Sequence, residues 1–272
     1  MVVRSFSFGF GFLILMAFGF LRGLNLSELL NLQSLVIVIG GTILVLWLGY
    51  PGDRIRNTWS TVRHLILDRR KRDTKDVLQE IFRLSTIYRI HGPLALERAL
   101  DEVKNDFLKF GSMFIIEGYD EWSLTAALER ENFLRSNERR AQVGLLKTLM
   151  RLTPALGMAG TVISLMQVMQ DFTRPELAGP SLGLALSSTL YGIVFANLLF
   201  LPLASKLEEL ANSEFMENSM IIEALRGIQR AEHPFRIAER LNAYDIYCEF
   251  KGIVGKNKVS SGVIKEAAGE KA

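Results

Sequence analysis

Four charge-free runs interrupt an otherwise strongly charged chain. Ser5–Leu21 (SFSFGFGFLILMAFGFL), Leu32–Tyr50 (LQSLVIVIGGTILVLWLGY), Leu152–Met169 (LTPALGMAGTVISLMQVM) and Leu182–Ala204 (LGLALSSTLYGIVFANLLFLPLA) each approach the roughly 20 apolar residues that a helix needs to cross a hydrocarbon core. The pattern predicts four transmembrane helices. The first run follows Arg4 and has the length of a signal-peptide core, but no small-x-small cleavage site follows it, so it reads as a retained span. Only Arg22–Asn31 separate it from the second run, which makes the two a hairpin. In the second, Trp47 and Tyr50 suit an interfacial aromatic belt, and Pro51-Gly52 end the helix.

The polar stretches carry helical periodicity and no strand-like alternation. In Asp53–Lys147, Val77, Ile81, Leu84 and Tyr88 share one face, as do Leu94 and Arg98 with Leu96 and Leu100 beside them. His91-Gly92-Pro93 breaks the chain between these two segments. Phe107–Glu117 predicts a third helix leading through Gly118. Ser123–Arg140 predicts a fourth, whose charge density points it into solvent before the membrane is re-entered. After the fourth span Lys206 opens a charged tail. There Phe215, Ile222, Leu225 and Ile228 form an amphipathic stripe that His233-Pro234 stops, and Phe235–Phe250 follows as a second helical stretch.

The expected fold is therefore an all-α integral membrane protein with four transmembrane helices, a helical cytoplasmic domain between spans two and three, and a helical cytoplasmic tail. Its expected parts are a first hairpin (1–52), the cytoplasmic domain (53–147), a second hairpin (148–205) and the tail (206–272). An even span count puts both termini on one side. Arg54, Arg56, Arg63, Arg69, Arg70, Lys71 and Arg72 crowd the flank of the second span and place that side in the cytoplasm.

Composition narrows the function. The 272 residues are 49% hydrophobic and 22% charged with a net charge of +3, and the basic excess sits beside membrane runs, without the aromatic context of a nucleic-acid surface. The lone Cys248 excludes an internal disulfide and a cysteine metal cluster. His64, His91 and His233 are scattered, and no catalytic spacing of Asp, His, Cys or Ser emerges, so no enzyme and no bound cofactor are expected.

The third and fourth spans differ from plain lipid-facing helices. Gly157, Gly160, Thr161 and Ser164 share a face of the third; Ala185, Ser188, Thr189, Gly192 and Ala196 do so on the fourth. Such seams serve either close helix packing or a polar path, and spacing alone leaves both readings open. Pro154 and Pro202 each remove a backbone donor near one end of these spans. No run contains Asp, Glu, Lys, Arg or His. Threonine hydroxyls can coordinate a cation but cannot take up and release a proton near neutral pH, so an ion path here needs a carboxylate from another chain.

Five segments in order resemble one family. SLVIVIGGT (Ser34–Thr42), LERAL (Leu96–Leu100) with IIEGYD (Ile115–Asp120), TPALGMAGTVISL (Thr153–Leu165), SSTLYGIVFANLLFLPLASKL (Ser187–Leu207) and MIIEALRGIQRAEHPFRIAERL (Met220–Leu241) are similar to the flagellar stator subunits of the MotA/PomA type, within the MotA/TolQ/ExbB family. The resemblance implies a non-enzymatic subunit of a proton or sodium channel in the bacterial inner membrane, five copies of which surround a MotB-like dimer whose single span supplies an aspartate. It also implies roles: Thr161 and Thr189, with Ser188 and Ser164, line the ion path; Pro154 and Pro202 couple ion flow to movement; Arg89 and Glu97 contact the rotor protein FliG. The competing expectations are a TolQ/ExbB-like energiser of outer-membrane processes, which has one span before its large cytoplasmic region, and a non-conducting membrane scaffold.

Overall fold

The computed structural model describes residues 31–67, 74–170 and 175–241. The expected first span, the Arg69–Arg72 cluster and Cys248 lie outside the described residues. The regular elements among them are all helical, without a strand. Three stretches of helix are long and apolar enough to cross a membrane: Leu32–Gly49, a window within Glu121–Gln170 and a window within Ala178–Gln229.

Helix α1 (Leu32–Gly49) starts where Asn31 Oδ1 accepts the Gln33 and Ser34 N–H groups at 3.0 and 3.3 Å, two donors that a helix start otherwise leaves open. A π-helical step, Val36–Gly40, lies within it. After Pro51 comes α2 (Gly52–Leu67), then α3 (Thr74–His91) and α4 (Pro93–Ala99) with a 3-10 turn over Leu100–Glu102. Gly92 has φ +76° and Pro93 opens α4, which is the expected break at His91-Gly92-Pro93. Helix α5 (Asp106–Ile116) is capped by Asn105.

Two expectations are corrected by continuity. The fourth soluble helix and the third span are one helix, α6 (Glu121–Gln170), with Pro154 inside it. The fourth span and the amphipathic tail helix are likewise unbroken, as α7 (Pro175–Val194), a π-helical segment (Phe195–Phe200) and α8 (Leu201–Gln229). A short α9 (Pro234–Leu241) follows.

The chain divides into two compact units, and both long helices contribute to each. The unit of Arg70–Asn137 and Ala211–Ala272 has an apolar core of Leu78, Ile81 and Leu84 from α3, Leu96 from α4, Leu108 and Ile115 from α5, Leu124 and Leu128 from α6, Met220, Ile221 and Leu225 from α8, and Ile237 and Leu241 from α9. Each such side chain contributes about 1.5–3 kcal/mol of burial. The expected face of α3 holds for Val77, Ile81 and Leu84, but that of α4 is split: Leu96 and Leu100 turn inward, while Leu94 and Arg98 lie on the exposed side. The charged part of α6 does not simply project into solvent, because Leu124, Leu128 and Asn132 are buried along one face. Its first turn is tied by charge: Glu121 accepts from Arg226 at 3.2 Å and Arg230 at 2.5 Å. Arg240 of α9 reaches Glu223 at 3.1 Å and also pairs with Glu232. The Arg230 hydrogen bond lowers the Glu121 carboxyl, and the Arg240 hydrogen bond lowers that of Glu232.

The other unit, Met1–Arg69 with Glu138–Leu210, gathers Val62, Val143, Leu145, Leu146, Leu149, Ala204 and Leu207 into a second cluster, with Tyr50 donating to Thr148 Oγ1 at 2.8 Å.

One turn is used twice with different residues. At the end of α5, Tyr119 N–H donates to the Phe114 carbonyl and Gly118 N–H to that of Ile115, with Gly118 at φ +78°. At the end of α8, Glu232 N–H donates to Gly227 and Ala231 N–H to Ile228, but the left-handed position is Ala231 at φ +51°. A side chain there costs about 1 kcal/mol. Ala231→Gly is expected to raise stability by about that amount, read as a higher midpoint in thermal unfolding, whereas Gly118→Ala lowers it by a similar amount.

Candidate functional site

The site is built where α6 and α7 touch without intervening side chains. A Cβ added to Gly157 would stand 2.8 Å from the Ser188 carbonyl oxygen, and one added to Gly192 would stand 2.7 Å from that of Thr153 and 3.1 Å from Pro154 Cα. At Gly160 it would meet Ser188 Cβ at 2.8 Å. Contacts under 3.0 Å to backbone cannot be relieved by turning a side chain, so these glycines set the distance between the helices.

That closeness brings Ser188, Thr161 and Thr189 together, while Ser164 bonds within its own helix. Ser164 Oγ donates to the Gly160 carbonyl at 2.8 Å, and Ser188 Oγ lies 2.8 Å from the Ala185 carbonyl and 3.1 Å from that of Gly157. Both serines are fully buried, with their hydroxyls turned onto helix backbone. Thr161 and Thr189 are only half-buried, and their Oγ1 atoms are 2.5 Å apart. Thr161 Oγ1 also lies 3.1 Å from the Gly157 carbonyl and 3.2 Å from that of Ala185. A hydroxyl has one proton and two lone pairs. With the Thr161 proton directed at these carbonyls, Thr189 donates to Thr161 and keeps its own lone pairs for a ligand. The pair is an uncharged oxygen site that can coordinate a cation and cannot hold a proton.

Helix α1 braces this wall. Ser34 Oγ, fully buried, donates to the Leu184 carbonyl at 3.0 Å, and Asn31 N–H donates to the Tyr191 hydroxyl at 3.0 Å. Gly41 faces the Leu156 side chain, which a Cβ would meet at 3.0 Å. Periodicity pointed to neither Ser34 nor Tyr191; a lone serine in an apolar run carries no signal beyond its polarity. Beside the threonines, Met158, Val162, Leu165 and Met166 of α6 and Leu186 and Ile193 of α7 are exposed apolar side chains.

Both prolines sit inside continuous helix. Pro154 leaves the Met150 carbonyl without its helical donor, one turn from the contact with Gly192. Pro202 comes two residues after the π-helical segment ends at Phe200. Arg89 and Glu97 belong to the other unit, at the end of α3 and on α4, and both are exposed, with Ile90 and Leu94 also exposed between them at 66% and 64%. No group of three or more His, Cys, Asp or Glu among the described residues could hold a metal ion.

A family model, the MotA/TolQ/ExbB proton channel family, matches residues 98–220. Motility protein A of Cereibacter sphaeroides is 30% identical over 217 residues, covering 80% of this chain and 85% of that protein. The chain belongs to the MotA/TolQ/ExbB proton channel family. Chemotaxis protein PomA of Vibrio alginolyticus is 26% identical over 236 residues, covering 87% of this chain and 91% of that protein. The fold is that of a chain in the flagellar MotAB stator complex from Bacillus subtilis, with TM-score 0.77 at 23% identity, covering 88% of this chain and 94% of that one. The family match reaches from Arg98 to Met220 and so includes both threonines and both prolines.

With Cys248 replaced by serine, the double change Thr161→Cys and Thr189→Cys is expected to form an intrachain disulfide under mild oxidant, read as a mobility shift in gel electrophoresis. Adding Gly157→Val separates the helices and abolishes the shift.

Proposed function

We propose that this chain is a stator subunit of an ion-driven rotary motor in the bacterial inner membrane. The observation that carries the proposal is the Thr161–Thr189 pair, a membrane-embedded oxygen site with no titratable group of its own, in a chain of this family. An oxygen-only site can pass a proton or sodium ion but cannot gate it by protonation, so the titrating group comes from elsewhere. A MotB-like single-span partner supplies it as an aspartate.

The finer assembly follows the same reading. Ser5–Leu21 forms the first of four spans, both termini are cytoplasmic, and five copies surround a partner dimer. Arg89 and Glu97 engage the rotor protein FliG. Pro154 and Pro202 let the third and fourth spans bend where their backbone bonds are missing, and the cation passing the threonine pair drives that bending.

Two substitutions test the reading. Thr189→Val removes one oxygen at nearly constant volume, and Pro202→Leu restores a backbone N–H. Each is expected to abolish ion-dependent torque in cells co-expressing the partner, while the detergent-purified complex keeps its size. Torque surviving both changes would contradict the proposed ion path. Rotation in sodium-free medium identifies the cation as the proton; its loss there identifies sodium.

A further inference from the structure

Six residues beyond Thr189, the fourth span departs from α-helical geometry. Over Phe195–Phe200 it is π-helical, and at the end of that segment the Leu201 N–H donates to the Ala196 carbonyl, five residues back. In an α-helix the Leu201 N–H would serve the Asn197 carbonyl and the next N–H would serve Leu198. The first is committed to Ala196, and the second does not exist, because residue 202 is proline. Two consecutive carbonyls, of Asn197 and Leu198, have thus lost their α-helical donors. The proline removes the donor of Leu198, and the wide turn redirects that of Asn197. Within hydrocarbon such groups must find another partner.

The side chain at the same point adds a third oxygen. Asn197 has the only carboxamide in the apolar run Leu182–Ala204, and it is exposed. Its Nδ2 donates to the Ile193 carbonyl at 3.1 Å, so Oδ1 remains an acceptor. Eight residues of helix separate it from Thr189 by about 12 Å along the axis. A regular α-helix would rotate Asn197 away from the Thr189 face; the wider π turns, which use more residues per revolution, bring it back toward that face.

We propose that Asn197 Oδ1 and the Asn197 and Leu198 carbonyls form a second, uncharged coordination station for the transported monovalent cation, on the Pro202 side of the threonine pair. Interrupted membrane helices expose carbonyls that can replace part of a cation's hydration shell. A neutral station holds the ion weakly enough to release it. The π segment and Pro202 then have a shared purpose beyond bending: together they open adjacent acceptors at one level of the helix. This rests on the stator reading, and the experiment separates the two.

The full chain, co-expressed with its single-span partner, is assayed by rotation of tethered cells, with speed per assembled unit recorded against sodium at fixed pH and against pH at fixed sodium. The axis to which the parent responds tells hydronium from sodium. Asn197→Leu is expected to move the half-saturating cation concentration upward by about five-fold, the effect of losing one neutral ligand, while Asn197→Thr, which keeps an oxygen, returns it to within about two-fold. A purely packing role would change the number of assembled units and leave this midpoint in place. Where the leucine variant does not assemble, Asn197→Ala takes its place. A parent-like midpoint in the oxygen-free variant overturns the station alone; a parent complex that drives no rotation overturns both the station and the stator reading.

Discussion

The contact between α6 and α7 at Gly157 and Gly192 is the constraint on which the site depends. Both glycines meet backbone of the facing helix at distances that exclude any side chain. In a membrane, helices do not gain from burying apolar surface against one another, since lipid is equally apolar; close packing and interhelical hydrogen bonds must hold them. The glycines provide the first and permit the second, because only at this separation can Thr161 Oγ1 reach both Thr189 and the Ala185 carbonyl. Widening the interface by one methyl group would separate the hydroxyls and leave each serving only its own helix.

The same closeness distinguishes residues that look alike in sequence. Ser164, Ser188, Thr161 and Thr189 all lie on small-residue seams, and spacing gives no reason to rank them. In the structure the serines donate to carbonyls in the packed interior, while the threonines meet at its edge. Packing accounts for the serines, while the threonine pair at the edge is where the proposed ion path would run.

Much of the architecture was legible in the chain because its signals are local. Charge-free runs of membrane length, the His91-Gly92-Pro93 break and the Val77–Ile81–Leu84 stripe each follow from a few adjacent residues. What was not legible was continuity. Hydropathy changes sharply near Lys147 and again near Lys206, which invites an element boundary, yet backbone hydrogen bonding ignores hydropathy and α6 and α8 run through both points. Pro154 invites a boundary as well, but one missing N–H is tolerated when the flanking turns are packed. The π-helical steps had no sequence signature at all; they are choices among hydrogen-bond registers that the same residues could satisfy in either way. The Ser34 and Tyr191 braces were equally silent, since each depends on a residue at least 150 positions away.

The membrane runs hold no Asp, Glu, Lys, Arg or His, so the proposed ion path needs a titrating group from another chain. The most direct measurement is cation flux into cells or vesicles holding this chain with a single-span partner, compared with the same complex in which the partner's membrane aspartate is replaced by asparagine and with this chain by itself. The account predicts flux only in the complex with the aspartate present. Equal flux from this chain alone, or from the asparagine complex, would contradict it.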